Sequence, residues 1–362
     1  MVRLSFAALA TLLACGVAKA DIVIGVGGPM TGSYASFGDQ LRKGAEAAVA
    51  DLNAKGGVLG QKVQLIVGDD ACDPKQAVSV ANSFANRKAV FVAGHYCSGS
   101  SIPASDIYAE AGILQITPAS TNPLLTERKL GNVFRICGRD DQQGEVAGAF
   151  LHENYKGMRI AFVHDKTAYG KGLADEARKA FNALGGKEAA YETVTPGERD
   201  YSALVTRLKN ERIDVLYYGG YHTESAQIVR QMRLAGLDAL LMSGDATVTQ
   251  EFWQIAGPQG QGTLMTFSPD ARGYPEAAPL VSRFRATGFE PEGYTLNTYA
   301  AVQAWADAVA KANSTDVGKV APTLRAGSWN TAIGKVEFDD KGDPKGRQYV
   351  FYRWIDGTYK PL

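Results

Sequence analysis

The tract Gly94-His95-Tyr96-Cys97-Ser98-Gly99-Ser100-Ser101-Ile102-Pro103 collects hydroxyls and glycines directly after an apolar run, where a strand would hand over to a helix. Amide N–H groups at a helix start have no intrahelical partner, and together with the helix dipole they favour an anion such as a carboxylate. Ser98 can add a hydroxyl donor there, and Pro103 suits the first turn of such a helix. Pro118-Ala119-Ser120-Thr121-Asn122-Pro123 repeats the arrangement. Two helix starts facing one space would form a receptor for a small anion; the plainer reading is that these serines only cap helices. Ser243-Gly244-Asp245 ends a further apolar run with a carboxylate on a glycine-flanked turn, placed either to meet an ammonium or to cap the next helix. Tyr217-Tyr218-Gly219-Gly220-Tyr221 surrounds a turn with aromatic rings. Tyr221 and Tyr169 could wall a pocket for an apolar side chain while their hydroxyls meet ligand or water, or could be ordinary surface-turn tyrosines.

Other chemistries find less support. His95, His164 and His222 each follow an apolar run, and three imidazoles could hold zinc, but no two share a His-x-x-x-His spacing and each has a hydrogen-bonding role available. No metal is expected. The tract Asp339-Asp340-Lys341-Gly342-Asp343 lacks the spacing and final glutamate of a calcium loop and reads as a polar hairpin turn. There is no Gly-x-Ser-x-Gly elbow, no phosphate loop ending in Gly-Lys-Ser/Thr and no dinucleotide fingerprint. No serine or cysteine has a histidine and a carboxylate placed beside it by a known motif, so the chain reads as a non-enzyme needing no cofactor.

The elements that must position these residues alternate. Short apolar runs at Ile22–Val26, Val63–Val67, Ala89–Ala93, Ile113–Ile116, Arg159–Val163, Val215–Tyr218 and Leu240–Met242 end in Gly, Asp or His. Amphipathic stretches lie between them. Leu41, Ala45, Ala48, Val49 and Leu52 recur at helical spacing before Gly56-Gly57, and Tyr201, Leu204, Val205 and Leu208 do so behind Asp200 as a cap. Such alternation means parallel sheets covered by helices on both faces, with ligands taken outside the carboxyl ends of the strands. The strand-end residues divide into an earlier and a later group, which places a cleft between two lobes.

Length agrees. Residues 1–20 carry a positive start, an apolar run too short to span a bilayer and the small-x-small sequence Ala18-Lys19-Ala20, so they read as a signal peptide with the mature chain beginning at Asp21. A rival reading takes Leu12-Leu13-Ala14-Cys15 as a lipoprotein box with a lipid anchor on Cys15. The remainder is too long for one compact core. Lys and Arg total 38, as do Asp and Glu, and no basic block draws the surface toward nucleic acid or anionic lipid. Export permits one disulfide among Cys72, Cys97 and Cys137, which leaves one thiol over. Cys137, in the run Val133–Cys137, reads as a buried inert thiol.

Taken in order, these segments resemble the periplasmic leucine/isoleucine/valine-binding proteins that feed transporters of the ATP-binding-cassette class. The resemblance runs through Gly32–Asp39, Asp51–Gly57, Asp69-Asp70-Ala71-Cys72-Asp73-Pro74-Lys75-Gln76-Ala77, Gly94–Ser101, His164–Gly170, Tyr217–Tyr221, Thr298–Gln303 and the Phe338–Gly346 turn, nearly the whole mature chain. It implies an α/β fold of the type I periplasmic binding class, two doubly wound parallel-sheet lobes joined by a multi-strand hinge near Arg139, Phe267 and Gly346. One lobe would hold residues 21–139 and 268–346, the other 140–267 and 347–362. It pairs Cys72 with Cys97. It assigns a ligand carboxylate to Ser98 and Thr121, and a ligand ammonium to the Ala119 carbonyl, the Thr121 hydroxyl and Asp245. The side-chain pocket falls on Phe37, Tyr96, Tyr169 and Tyr221.

The expected partners are a free amino acid and the membrane permease of a transporter, for a periplasmic monomer. Two departures bear on the ligand: Asp245 stands where glutamate is frequent, and Tyr96 where leucine is common. An aliphatic amino acid stays first, with a smaller or more polar one such as alanine, proline or an aminobutyrate as the alternative. A sensor docked on a membrane receptor is the rival use of the same fold.

Overall fold

The computed structural model describes residues 20–346 and 348–362; the signal-peptide reading, with Cys15, lies almost wholly outside them. Fourteen strands are described: β1 Ile22–Gly28, β2 Val63–Asp69, β3 Phe91–Gly94, β4 Leu114–Thr117, β5 Val133–Arg135, β6 Ile160–His164, β7 Ala190–Thr193, β8 Val215–Gly219, β9 Leu240–Ser243, β10 Leu264–Phe267, β11 Ser328–Thr331, β12 Gly334–Glu337, β13 Val350–Ile355 and β14 Thr358–Pro361. They form two large sheets, ordered β2-β1-β3-β4-β5 and β14-β13-β10-β9-β8-β6-β7, and a β11-β12 hairpin. The first sheet is parallel throughout, and the second is parallel from β7 to β10 with β13 and β14 added antiparallel at one edge. Strands β3, β4, β5, β6, β8 and β10 are buried along their whole length, which is why they read as continuous apolar runs without a period of two.

Every strand expected from sequence is present, with edges moved by one or two residues. Strands β5, β7, β10 and β11 to β14 were not among those expected: β5 is only three residues long, β7 is half-exposed and the hairpin carries too few apolar residues to stand out. Helix boundaries follow local chemistry. Asp73 accepts from the amides of Lys75 and Gln76 while Pro74 occupies the first helical position, so Asp-Pro-Lys-Gln is a helix start written in sequence. Helix Ala35–Ala54 stops before Gly56 and Gly57, whose φ angles of 95° and 82° lie in the left-handed region. That helix presses against Thr295–Ala312 through Gly44, where a Cβ would come within 2.3 Å of the Thr295 carbonyl.

Helix Thr295–Ala312 comes late in the chain but packs on the first sheet, and β13 and β14 come later still but join the second. The chain therefore passes three times between the two halves. One crossing is held by buried charge: Arg135 Nε and Arg139 donate to opposite oxygens of Asp343 at 2.6 Å each, and Thr126 adds a hydroxyl at 2.9 Å. The Asp339–Asp343 tract is thus a turn, as expected, but not merely a polar one, because Asp343 is buried and paired.

Cys72 and Cys97 form a disulfide with Cα atoms 5.6 Å apart, joining the segments that open helices Pro74–Asn86 and Ser98–Glu110. Cys137 is free and buried, and burial pushes its thiol up, out of the reactive range. The bridge closes a loop with a sequence separation of 25 residues. Replacing both cysteines by serine is expected to lower stability by about 3.5 kcal/mol, read as a fall in the thermal midpoint. An unchanged midpoint would show that the reduced chain is already held by its packing.

Candidate functional site at the seam of the two lobes

Both sheets reverse their strand order in the same way, between β1 and β3 in the first and between β6 and β8 in the second. At such a switch point the connections leave in opposite directions and open a crevice beyond the strand ends. The segments that follow β1, β3 and β4 carry Tyr34 and Phe37, Tyr96 to Ser98, and Ala119 to Thr121; those that follow β6, β8 and β9 carry Tyr169, Tyr221 and Asp245. The two crevices face each other.

Six of the eight residues expected at the site, Tyr96, Ser98, Ala119, Tyr169, Tyr221 and Asp245, line one enclosed cavity, joined by Ala246. Its room for the centre of a water molecule is about 10 Å³, enough for one water. Phe37 does not line it. It stacks flat behind Tyr96, with ring centroids 4.3 Å apart and planes 13° from parallel. Thr121 also stands behind the wall, buried, with its carbonyl accepting from the Asp140 amide at 2.9 Å. Ser98 is the first residue of helix Ser98–Glu110 and accepts from the Asn122 amide at 3.3 Å, so it is not itself the cap of that helix.

Asp245 is the electrostatic centre. Tyr169 donates to Oδ1 at 2.8 Å, Gln143 donates to the same oxygen at 2.9 Å, and Tyr294 donates to Oδ2. All three donors are neutral, and among the described residues no lysine, arginine or histidine pairs with this carboxylate. Burial pushes its carboxyl up from the ordinary aspartate range to about 6, with the Tyr294 and Tyr169 hydrogen bonds offsetting part of the rise. A carboxylate that is dry, hydrogen-bonded and uncharged-partnered is a receptor for a cation. Opposite it stands the start of a helix with free amides.

Tyrosines close the seam. Tyr221 packs against Tyr34 at 4.4 Å, Tyr169 at 5.1 Å and Tyr96 at 5.9 Å between ring centroids. The Tyr34 hydroxyl crosses from the first lobe to donate to Glu224 on the second at 3.1 Å. Outside this layer an open groove of about 730 Å³, with Tyr34, Cys72, Cys97, Lys166 and Pro196 among its walls, meets the inner cavity at Tyr221.

Several expectations need correction. Pro103 lies five residues inside its helix rather than in the first turn, and the segment from Pro118 leads only into the four-residue helix Leu124–Glu127, so a second helix start facing the cavity is not formed. Tyr217 and Tyr218 lie within β8, buried, and only Tyr221 reaches the turn. The histidines are apart: His95 bridges Asp70 at 2.5 Å and Tyr108 at 2.8 Å, His164 accepts from the Lys166 amide, and His222 meets Glu251 at 2.9 Å. Tyr294 and Gln143 were missed because they reach the seam from a helix or its approach rather than from a strand end, and Tyr34 and Glu224, in the segments after β1 and β8, because no local pattern marks them apart from their neighbours.

A buried cavity at the seam of two doubly wound lobes, holding an unpaired acid opposite a helix start, defines a two-lobed solute-binding protein. The chain belongs to the periplasmic binding protein family, whose model matches residues 21–358. The family is one of solute binders rather than enzymes, working outside the cytoplasm. The chain is 51% identical over 343 residues to a Leu/Ile/Val-binding protein homologue of Brucella abortus, covering 94% of this chain and 92% of that relative. It is 51% identical over 349 residues to an amino acid binding protein of Pseudomonas aeruginosa, covering 95% and 93%. Among solved structures, a leucine-binding protein from Thermotoga maritima superposes with a TM-score of 0.87 at 28% identity, covering 94% and 97%. A branched-chain amino acid transporter substrate-binding protein from Streptococcus pneumoniae, in complex with isoleucine, does so with 0.85 at 25%, covering 94% and 98%.

The raised carboxyl of Asp245 has a consequence for stability. The folded chain holds a proton there to higher pH than the unfolded chain does, so stability without ligand declines as pH rises from about 4 to about 6. Asp245→Asn removes that decline. At neutral pH it is expected to stabilise the ligand-free protein by on the order of 1–3 kcal/mol, measured as a difference in thermal midpoint that grows from pH 4 to pH 6.5 and then levels. A lower midpoint for the variant across the whole range would contradict the assignment.

Proposed function

We propose that the protein captures a free aliphatic L-amino acid, branched-chain-like, by closure of its lobes, and delivers it to the permease of an ATP-binding-cassette transporter. The observation that carries this reading is Asp245, a buried carboxylate held by neutral donors alone, across one cavity from Ser98 and Ala119. A zwitterion supplies both missing charges. Its carboxylate meets the helix start at Ser98 with Thr121 assisting, its ammonium meets the Ala119 carbonyl, Asp245 and the Thr121 hydroxyl, which turns in from behind the cavity wall, and its side chain lies among Tyr96, Tyr169 and Tyr221. Names carried by the Brucella relatives and the isoleucine in the Streptococcus structure favour a branched-chain ligand.

Capture begins on the first lobe, which carries Ser98, Ala119 and Thr121. Hinge closure then brings Tyr169, Tyr221 and Asp245 over the ligand and removes water, so that the ammonium–carboxylate attraction acts in a low dielectric. The moving units are residues 21–139 with 268–346 and residues 140–267 with 347–362. A monomer exported by cleavage after Ala20 suffices for this cycle, and an anchor on Cys15 would change only its tether. A narrower ligand such as alanine, proline or an aminobutyrate is the second reading. Its support is the lining, where Tyr96 and the short side chain of Asp245 stand in the wall.

A thermal-shift screen of free amino acids against the mature protein tests both, since a ligand that binds only the folded form raises its midpoint. Leucine, isoleucine or valine leading the panel supports the first reading, and alanine, proline or an aminobutyrate the second. With the leading ligand, Asp245→Ala is expected to weaken binding by about 2–5 kcal/mol; calorimetry showing less than a tenfold loss would remove Asp245 from the ammonium site.

A further inference from the structure

Behind Asp245 lies a second acid that the capture scheme does not use. Asp140 opens helix Asp140–Asn154 and is fully buried, and neither of its carboxylate oxygens makes a well-formed hydrogen bond. The Thr121 hydroxyl lies beside it, equally without a well-formed partner, while the Asp140 amide binds the Thr121 carbonyl at 2.9 Å. Threonine and aspartate therefore form a pair one small rotation away from a hydrogen bond.

Among the described residues, no cation is free to serve this acid. Arg135 is near, but its guanidinium is committed to Asp343, the carbonyls of Ser120 and Asn122, and the Thr126 hydroxyl, at 2.6–3.0 Å. Asp141, on the same helix, is paired with Arg139 at 2.7 Å. The other groups facing Asp140 are Asp245, itself an acid, Cys137, whose thiol burial keeps neutral, the hydroxyls of Tyr217 and Tyr349, buried and without partners, and Tyr169 and Tyr221, whose buried hydroxyls stay neutral. Burial raises the Asp140 carboxyl well above its ordinary range, Asp245 raises it further, and Thr121 and Arg135 offset part of this. Two carboxyls in one dry space, without a base between them, do not both stay ionised.

We propose that Asp140 is a positioning acid for the amino end of the ligand, acting through Thr121, and that it gives up a proton when an ammonium enters. In the ligand-free form the carboxylic acid O–H is intact. When the ammonium arrives between Asp245 and Thr121, its charge favours the carboxylate; the O–H bond breaks and the proton passes to bulk water. The ionised Asp140 then accepts from the Thr121 hydroxyl, which turns a lone pair of the Thr121 oxygen toward the ligand N–H. This inference rests on the amino-acid reading above and adds a proton inventory to it. Because binding releases a proton, affinity rises with pH across the interval between the ligand-free and bound titrations, by up to about tenfold per pH unit.

The test is titration calorimetry of the mature protein with leucine in phosphate and in Tris at about pH 7.5, where Asp245, titrating near 6, is already ionised. The expected result is a heat that differs between buffers by the ionisation enthalpy of the proton taken up, and an affinity that climbs with pH. Asp140→Asn fixes the site in its uncharged form: it is expected to lose the buffer dependence, to bind with an affinity flat in pH, and to fall up to tenfold below the parent. Equal heats for the parent in both buffers, or an unchanged proton release in the variant, would overturn the proposal. Should the variant not fold, the parent titrated with 4-methylpentanoate, which has the leucine skeleton without the amine, decides instead: proton release equal to that with leucine refutes the role of the ammonium. No binding by leucine or any other amino acid would be a failure of the amino-acid reading, distinct from binding without a proton.

Discussion

The structure depends on one unfavourable act, the burial of the Asp245 carboxylate where, among the described residues, no side-chain cation answers it. Three neutral donors, Tyr169, Gln143 and Tyr294, hold its two oxygens, and the cost of its burial is visible in a carboxyl that titrates near 6. In a protein that only had to be stable, a paired arginine or an apolar residue would occupy such a position. An acid kept in this state has affinity stored in it, which a ligand bearing a positive charge can use. The proposed binding role and the stability penalty would be two faces of the same desolvation.

Around that acid the protein has arranged a dry but deformable wall. Tyrosine suits the seam because its ring excludes water while its hydroxyl can hydrogen-bond across it. Tyr169 and Tyr294 donate to Asp245, Tyr34 donates to Glu224 across the seam, and Tyr221 separates the inner cavity from the outer groove. Phe37, which has no polar end, sits one layer back and fixes the plane of Tyr96. Each of these contacts across the seam is a neutral hydroxyl donation or a ring contact rather than an ion pair.

Charge is treated differently near the crossings between the lobes. Arg135 and Arg139 share Asp343 in a buried cluster that also ties down Thr126 and the carbonyls of Ser120 and Asn122. Those carbonyls belong to the loop that presents Ala119 and Thr121. The ion cluster therefore holds the loop that carries Ala119 and Thr121, while neutral tyrosines pack between the lobes. Removing either arginine would leave a buried carboxylate underpaired, a larger disturbance than the loss of a surface ion pair.

The strand-and-helix alternation, the helix start at Asp73-Pro74, the helix stop at Gly56-Gly57 and the rule that strand ends carry ligands were all legible in the chain alone, because each rests on interactions between residues a few positions apart. The strand-end rule marked the segments, the resemblance to the leucine/isoleucine/valine-binding proteins picked Ser98, Ala119, Tyr96, Tyr169, Tyr221 and Asp245 from them, and these six are found around one cavity. What the sequence could not determine was every contact that depends on how the two lobes meet. Tyr294 reaches Asp245 from the approach to a helix, Gln143 and Asp140 reach the site from another, and Tyr34 finds Glu224 at a separation of 190 residues. The helix start expected at Pro118 fails for a related reason: its capping pattern is local, but the chain there is held as a loop by Arg135 from a neighbouring strand. Local chemistry decided which groups end the strands; only the tertiary structure decided which of them are dry, and desolvation is what sets Asp245 apart from an ordinary aspartate.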